Sequence, residues 1–179
     1  MPRSPPPAVA QLVLVRRTST VIGRKHTFMD REFGGSDYDP DDQGTFERDL
    51  VFVIMPFRGQ EMIDTYSAIK DECGKLGLHA KRVDENVGSG FVVREISELI
   101  ERAEFLVCDL TLERPNVYYE LGYAHGVGNE GADILLIARE GTTLHFDIAP
   151  LRVQYYSSTE HLRSIVSSSL KEMIRMTRR

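Results

Sequence analysis

The sequence predicts an α/β domain, a three-layer α/β/α sandwich around a five-stranded, mainly parallel sheet. Five short apolar runs, at 51–55, 79–83, 105–108, 133–138 and 152–156, have the length of strands and are bounded by turn residues. Segments with apolar residues at helical spacing separate most of these runs. Strands that alternate with helices pair in parallel through right-handed crossovers, and the helices then cover both faces of the sheet.

The first 45 residues are predicted to be an extension, partly disordered or an assembly segment, in front of a domain over 46–179. Residues 1–8 are rich in proline, and residues 30–44 combine acidic residues, glycines and a proline without apolar periodicity. The apolar run at 9–15 could add a strand or make an oligomer contact. This run suggests self-association as a homo-oligomer.

The first two strands and the helix between them begin the domain. The run at 51–55 is rich in β-branched residues, which is typical of a central strand, and the turn Met55-Pro56-Phe57-Arg58-Gly59 ends it. The second strand, at 79–83, ends in Asp84 and Glu85. A helix closed by Gly77 lies between them, with apolar residues at helical spacing: Met62, Tyr66, Ile69, Cys73 and Leu76.

The central segment follows a loop at 86–90 and a second helix. The third strand, at 105–108, delivers Asp109 at its carboxyl end, and Pro115 suits the first turn of a helix over 115–127. Glu120 then lies about one and a half turns into that helix. Gly122 and Gly126 are interpreted as allowing the helix to pack closely. The apolar face of the second helix is predicted to be Val92, Val93, Ile96, Leu99, Ile100 and Ala103.

The remaining elements complete a flavodoxin-like strand order, 2-1-3-4-5. The strands at 133–138 and 152–156 precede a last helix, which Thr159 could cap. In this order strands one and three flank the switch point, so the turns at 55–59 and 109–116 are adjacent and Asp84 lies nearby. The inward face of the last helix is predicted to be Leu162, Ile165, Val166, Leu170, Met173 and Ile174, and its terminal arginines suit the helix dipole: Arg175, Arg178 and Arg179.

Composition and charge narrow the classes of function. The 179 residues suffice for one domain with a sizeable core, and a net charge of −5 gives no reason to expect a nucleic-acid partner. Cys73 and Cys108 fall in predicted core positions, as reduced thiols, and no run approaches the ~20 apolar residues of a membrane span. The five histidines have no recognisable metal spacing, and no phosphate-binding P-loop occurs. We expect a cytoplasmic protein without metal or cofactor.

Three segments carry a family resemblance. VFVIMPF, AEFLVCDLTLERPNVYYELGYAHGVG and ILLIARE resemble the nucleoside 2-deoxyribosyltransferase superfamily, which is related in fold to Toll/interleukin-receptor-like domains with NAD glycohydrolase activity. The resemblance covers roughly residues 49–156, and its most specific part is the P-N-V-x-Y-E-L-G-x-A segment at 115–124. It implies an enzyme that forms or hydrolyses N-glycosidic bonds of nucleosides and nucleotides and that assembles as a dimer or higher oligomer.

The resemblance also implies roles for individual residues. The glutamate of the E-L-G segment, here Glu120, is the catalytic residue, and the aspartate that ends the third strand maps to Asp109. Glu95, early in the second helix, could reach the sugar. The aspartates that transferases place just before the glutamate are replaced by Glu113-Arg114-Pro115-Asn116, which weakens the case for a true deoxyribosyltransferase. The turn after the first strand maps to Met55, Pro56, Phe57 and Arg58.

The chemistry of N-glycosidic cleavage gives these residues their predicted tasks. Positive charge builds up on the anomeric carbon, and a carboxylate beneath it can stabilise that charge or attack covalently. We predict Glu120 as the nucleophile and Asp109 as the residue that holds a sugar hydroxyl, although Asp109 could instead cap the turn that follows it. Arg58 and free N–H groups at the start of the 115–127 helix could hold phosphate. The remaining predicted substrate contacts are Asp84, Asn116, and the base-stacking residues Phe57, Tyr118 and Tyr119.

Three functions remain open from the sequence. The first is an N-glycoside hydrolase or transferase that acts on a nucleoside or nucleotide. The second is a receptor-like NAD glycohydrolase, in which nicotinamide is the leaving group. The third is a nucleotide-binding sensor or signalling module that keeps the pocket without turnover. The sequence does not distinguish water from a second base as the acceptor of the sugar.

Overall fold

The computed structural model describes residues 46–85, 92–148 and 150–178. The predicted extension over 1–45 and the loop at 86–90 lie outside the described residues. None of the described helices is long and apolar enough to cross a membrane. In chain order the elements are β1 (Glu47–Ile54), α1 (Gln60–Lys75), β2 (His79–Lys81), a 3₁₀ helix (Val83–Glu85), α2 (Val92–Arg102), β3 (Ala103–Asp109), α3 (Pro115–Gly126), β4 (Ile134–Arg139), β5 (Val153–Tyr156) and α4 (Thr159–Thr177).

The five strands form one parallel sheet in the order β2-β1-β3-β4-β5, which confirms the predicted fold class and strand order. β1 and β3 are neighbours, with Ile54 opposite Cys108 near their carboxyl ends. From β1 the chain continues to β2 on one side, and from β3 it continues to β4 on the other. The crevice at the carboxyl ends of β1 and β3 is therefore the switch point, where open α/β sheets bind ligands.

Side chains of β1, an interior strand beside the central β3, alternate between two hydrophobic cores. Val51 and Val53 of β1 pack in the layer of α1 and α4, whereas Phe52 and Ile54 pack in the layer of α2 and α3. All four are buried, so β1 is covered on both faces, which explains its continuous apolar sequence. The free thiols of Cys73 and Cys108 are buried, as predicted.

The ends of α1 and α4 follow from local sequence. The prediction that Gly77 closes α1 is confirmed: its φ is +73°, and the N–H of Leu78 donates to the carbonyl of Cys73. The cap predicted for α4 is wrong by one residue. Ser158 has extended backbone and its hydroxyl accepts from the N–H of His161 at 3.2 Å, so Thr159 is the first residue of the helix rather than its cap.

Two other local predictions are wrong. β2 ends at Lys81, because the side chain of Arg82 turns back onto the carboxylate of Asp84 and the chain enters the 3₁₀ helix. Asp84 is therefore not at a strand end.

The two glycines of α3 do not have the predicted role. Gly122 and Gly126 do not permit close packing, because both are exposed and a Cβ at either would contact nothing within 4 Å.

Candidate functional site

A hollow of about 260 Å³ lies at the switch point, between α2 and α3. Small-molecule sites are typically concave and mostly apolar, with a few polar groups that orient the ligand. Glu120 is the one carboxyl group that the described residues contribute to this hollow. Its lining is otherwise apolar, aromatic or uncharged: Phe57, Val83, Val93, Ile96, Ser97, Ile100, Asn116, Tyr119 and Tyr123.

The helical repeat of α3 places four of these side chains. Asn116, Tyr119, Glu120 and Tyr123 are separated by three, four and seven residues, so they share one face of the helix. Pro115 occupies the start of α3, as predicted, and sets the helix just beyond the carboxyl end of β3. At 1.5 Å per residue, Glu120 lies about 6 Å further along the hollow than Asn116.

The pKa of Glu120 is unusually high for a glutamate in a helix. Burial raises the pKa of Glu120 to about 7, and a hydrogen bond with the side chain of Asn116 opposes the rise. A carboxyl group that titrates near neutral pH inside a hollow is typical of groups that transfer protons or attack substrates.

The raised pKa of Glu120 predicts a pH-dependent contribution to stability. Because the pKa in the folded state exceeds the ordinary value of 4.5, this contribution is present in full below pH 4.5 and is lost as the pH rises to about 7. Glu120→Gln stays neutral and lacks this loss. We expect the variant to gain on the order of 1–2 kcal/mol over the wild type between these pH values, less than the full shift implies because Glu120 is partly exposed. Urea unfolding of both proteins from pH 4.5 to 8 measures the difference, and parallel curves would contradict it.

Asp109 does not face the hollow, so the prediction that both carboxylates face one cleft is wrong. Its side chain is 0% exposed. One carboxylate oxygen accepts the N–H of Thr111 at 2.9 Å and the hydroxyl of Thr111 at 2.5 Å, and the other accepts the hydroxyl of Tyr156 at 3.4 Å. Burial raises the pKa of Asp109, and these bonds oppose the rise. This is the turn-capping alternative: Asp109 fixes the connection between β3 and α3.

The turn after β1 contributes only one residue to the hollow. Phe57 lines it, as do three other predicted site residues: Asn116, Tyr119 and Glu120. Met55 is buried in the core against α1 and α4, and Pro56 is also buried. Arg58 is exposed and outside the lining.

Two predicted acidic contacts also lie outside the hollow. The carboxylate of Asp84 is held by the guanidinium group of Arg82 at 2.6 and 2.8 Å, and that guanidinium lies 4.3 Å from the ring centroid of Tyr66. Glu95 is in the first turn of α2, where a negative charge suits the positive end of the helix dipole. The carboxylate of Asp84 therefore serves an ion pair with Arg82, and that of Glu95 suits the start of α2.

The first turn of α3 offers a poorer phosphate site than predicted. Pro115 has no N–H, and the N–H groups of Val117 and Tyr118 both donate to the carbonyl of Arg114. These donors are already used. A phosphate at this end of the helix would therefore rely on the N–H of Asn116 and on side chains.

Two polar residues of the hollow were missed from the sequence. Ser97 interrupts the apolar face of α2, and Tyr123 lies three residues after Glu120 on the same face of α3. The sequence contains a signal for each. A polar residue within an apolar helix face suggests a site, and a residue three positions after a candidate catalytic residue lies on the same helix face. Of the apolar face predicted for α2, Ile100 is buried in the core and Ile96 packs against it, as predicted, whereas Val93 is 55% exposed. All three line the hollow.

Solved structures of other proteins share this fold, among them an N-glycosidase and a deoxyribosyltransferase. No protein-family model and no curated protein sequence matches the chain. The CMP N-glycosidase BcmB of Clostridium botulinum is 13% identical with a TM-score of 0.50, over 65% of this chain and 97% of that one. The 2-deoxyribosyltransferase of Bacillus psychrosaccharolyticus is 17% identical with a TM-score of 0.50, over 64% of this chain and 90% of that one. At these identities the likeness shows a common fold, and among the described residues Glu120 is the one carboxyl group that lines the switch-point hollow of this α/β protein.

Proposed function

We propose that this protein cleaves the N-glycosidic bond of a nucleoside or nucleotide, with Glu120 as the group that meets the anomeric carbon. The observation that carries the proposal is the position of Glu120, a carboxyl group that lies in a largely apolar hollow at the switch point of the sheet. An N-glycosidase and a deoxyribosyltransferase are among the proteins of similar fold, which supports the same class of reaction here.

The surroundings of Glu120 suit the charge that this reaction develops. As the bond to the base breaks, the sugar becomes an oxocarbenium-like cation. Apolar walls reduce the contact of Glu120 with water, so an ionised Glu120 interacts with that cation more strongly than a fully solvated carboxylate would. The same carboxylate oxygen can instead bond to the anomeric carbon, and water or a second base then displaces it. Phe57 and Tyr119 lie beside this position and provide ring faces for the substrate.

The size of the hollow favours a single nucleoside unit over a dinucleotide. Sites for drug-sized ligands occupy roughly 300–1,000 Å³, and this hollow has about 260 Å³. The test is incubation with ribonucleosides, deoxynucleosides, their monophosphates and NAD, each separately, with chromatography of the released base. Release from a nucleoside or monophosphate supports the proposal. Release of nicotinamide alone would favour the NAD glycohydrolase, and thermal stabilisation without any release would favour a sensor.

The pH profile of base release should follow the ionisation of Glu120. A nucleophilic carboxylate must be ionised, so kcat/KM should rise with pH and level off above the pKa of about 7. In Asn116→Ala the hydrogen bond that opposes the rise of this pKa is lost, so the rising limb should move to higher pH. Initial rates between pH 5 and 9 measure both effects. Activity that falls as the pH rises through 7 would show instead that Glu120 acts as a proton donor.

A further inference from the structure

The hollow continues past Glu120 between α2 and α3. Tyr123 lies three residues further along α3, about 4.5 Å deeper at 1.5 Å per residue. Ser97 of α2 is within hydrogen-bonding reach of the Tyr123 hydroxyl, and Ile100 follows it by one turn on α2. We name this end of the hollow, formed by Ser97, Ile100 and Tyr123, the inner pocket.

The inner pocket is much less exposed than the opposite end, which we name the rim. Ile100 is 0% exposed and Ser97 is 7% exposed, whereas Phe57 and Tyr119 at the rim are 42% and 67% exposed. The flat apolar faces of a base gain most from the enclosed end. The described lining contains no Lys or Arg, so a phosphate in the inner pocket would be buried without a counter-charge. The hydrated 5′ end of a substrate therefore belongs at the rim.

Both hydroxyl groups of the inner pocket use their protons within the protein. The hydroxyl of Tyr123 donates to the carboxylate of Glu101. The hydroxyl of Ser97 donates to the carbonyl of Val93 at 3.1 Å. A hydroxyl oxygen whose proton is engaged can still accept a hydrogen bond. The polar groups of the inner pocket are thus acceptors.

We propose that the inner pocket binds the base and selects bases that carry an exocyclic amino group over their oxo counterparts. This rests on the proposed function and adds its substrate class. An amino group can donate to the oxygens of Ser97 and Tyr123 while both hydroxyls keep their bonds within the protein. An oxo group in the same place receives a hydrogen bond only if a hydroxyl gives up its bond to Val93 or Glu101. A site built to accept a hydrogen bond rejects a ligand that leaves its polar groups unpaired.

The test is calorimetric binding of two matched pairs, cytidine against uridine and adenosine against inosine. Glu120→Gln is used as the background so that no ligand is consumed. We expect the amino-bearing member of each pair to bind roughly five- to tenfold more tightly. Tyr123→Phe and Ser97→Ala should each bring this ratio toward one. Ser168→Ala is the matched control, because its hydroxyl makes the same bond to the carbonyl four residues earlier, at 2.8 Å, on α4.

The outcomes separate this inference from the proposed function. The proposed base selection is overturned if the affinity ratio of amino-bearing to oxo nucleosides is one or below. It is also overturned if the ratio is unchanged in both Tyr123→Phe and Ser97→Ala. Either result counts even where the wild type releases base. A ratio that holds while the wild type releases no base supports the inner pocket and overturns cleavage. Failure of all four nucleosides to bind the folded protein overturns both. If circular dichroism shows that Tyr123→Phe does not fold, the Ser97→Ala ratio decides.

Discussion

Base release is expected to fall by at least about 10³-fold in Glu120→Gln, with the fold intact. Removal of a nucleophile, or of the main electrostatic partner of a transition state, typically has effects of this size or larger. Glutamine has the shape of glutamate but cannot carry the negative charge that faces the anomeric carbon. Because burial already disfavours the ionised form of Glu120, the neutral side chain should not destabilise the protein. The measurement is kcat/KM for the best substrate of the panel, with circular dichroism of both proteins.

The control for this experiment is Glu95→Gln. Glu95 lies on α2, the other helix of the hollow, but outside the lining. The substitution is the same, but it lies on the neighbouring helix. We expect Glu95→Gln to retain base release within about twofold, because charges outside the hollow contribute little. Unchanged base release in Glu120→Gln would remove Glu120 from the mechanism. A loss in Glu95→Gln equal to that in Glu120→Gln would restore Glu95 as a substrate contact.

The fold could be predicted because its signals are local and repeated. The continuous apolar run of β1 requires burial on both faces, and Pro115 marks the start of α3. Gly77 ends α1 for a conformational reason that can be read from one residue. Once strands and helices alternate, handedness and burial leave few topologies, so the order β2-β1-β3-β4-β5 follows.

The site could be predicted only in part, because it depends on contacts between distant residues. An aspartate at a strand end has the same sequence signal whether it faces a ligand or caps a turn. For Asp109 the outcome is set by Thr111 and by Tyr156, which lies 47 residues away. Asp84 is likewise held by Arg82, whose guanidinium lies over the ring of Tyr66. Glu120 could be predicted because the E-L-G segment resembles the nucleoside 2-deoxyribosyltransferase superfamily, and because Pro115 starts its helix beside the crevice at the strand ends.

The same limit applies to the end of the chain, where the largest expected effect on stability lies. Arg178 was assigned to the helix dipole from its position. Its guanidinium instead reaches the amino end of the sheet, with 2.8 and 2.7 Å bonds to the carboxylate of Glu104 and a 2.6 Å bond to that of Asp49. The Glu104 side chain is 6% exposed and also accepts the backbone N–H of Asp49 at 2.6 Å. These contacts join the end of α4 to the starts of β1 and β3.

We expect Arg178→Met to lower the free energy of unfolding by about 2–3 kcal/mol. Loss of one partner leaves a buried carboxylate without its counter-charge, which typically costs about 3–5 kcal/mol; the partial exposure of Arg178 reduces the cost. Urea unfolding and the Tm, which should fall by about 6–12 °C, measure it.

The controls distinguish a buried ion pair from a surface one. Arg175 lies one turn before Arg178 and forms an exposed ion pair with Glu172. The stability of Arg175→Met should equal that of the wild type within error. The double variant Arg178→Met with Glu104→Gln should recover part of the loss, because the buried charge that Arg178→Met leaves unpaired is then absent. Equal stability of Arg178→Met and Arg175→Met would show that the contact with Glu104 adds nothing beyond a solvated pair. A double variant less stable than Arg178→Met would show that Glu104 stabilises the sheet through the N–H of Asp49 rather than through the arginine.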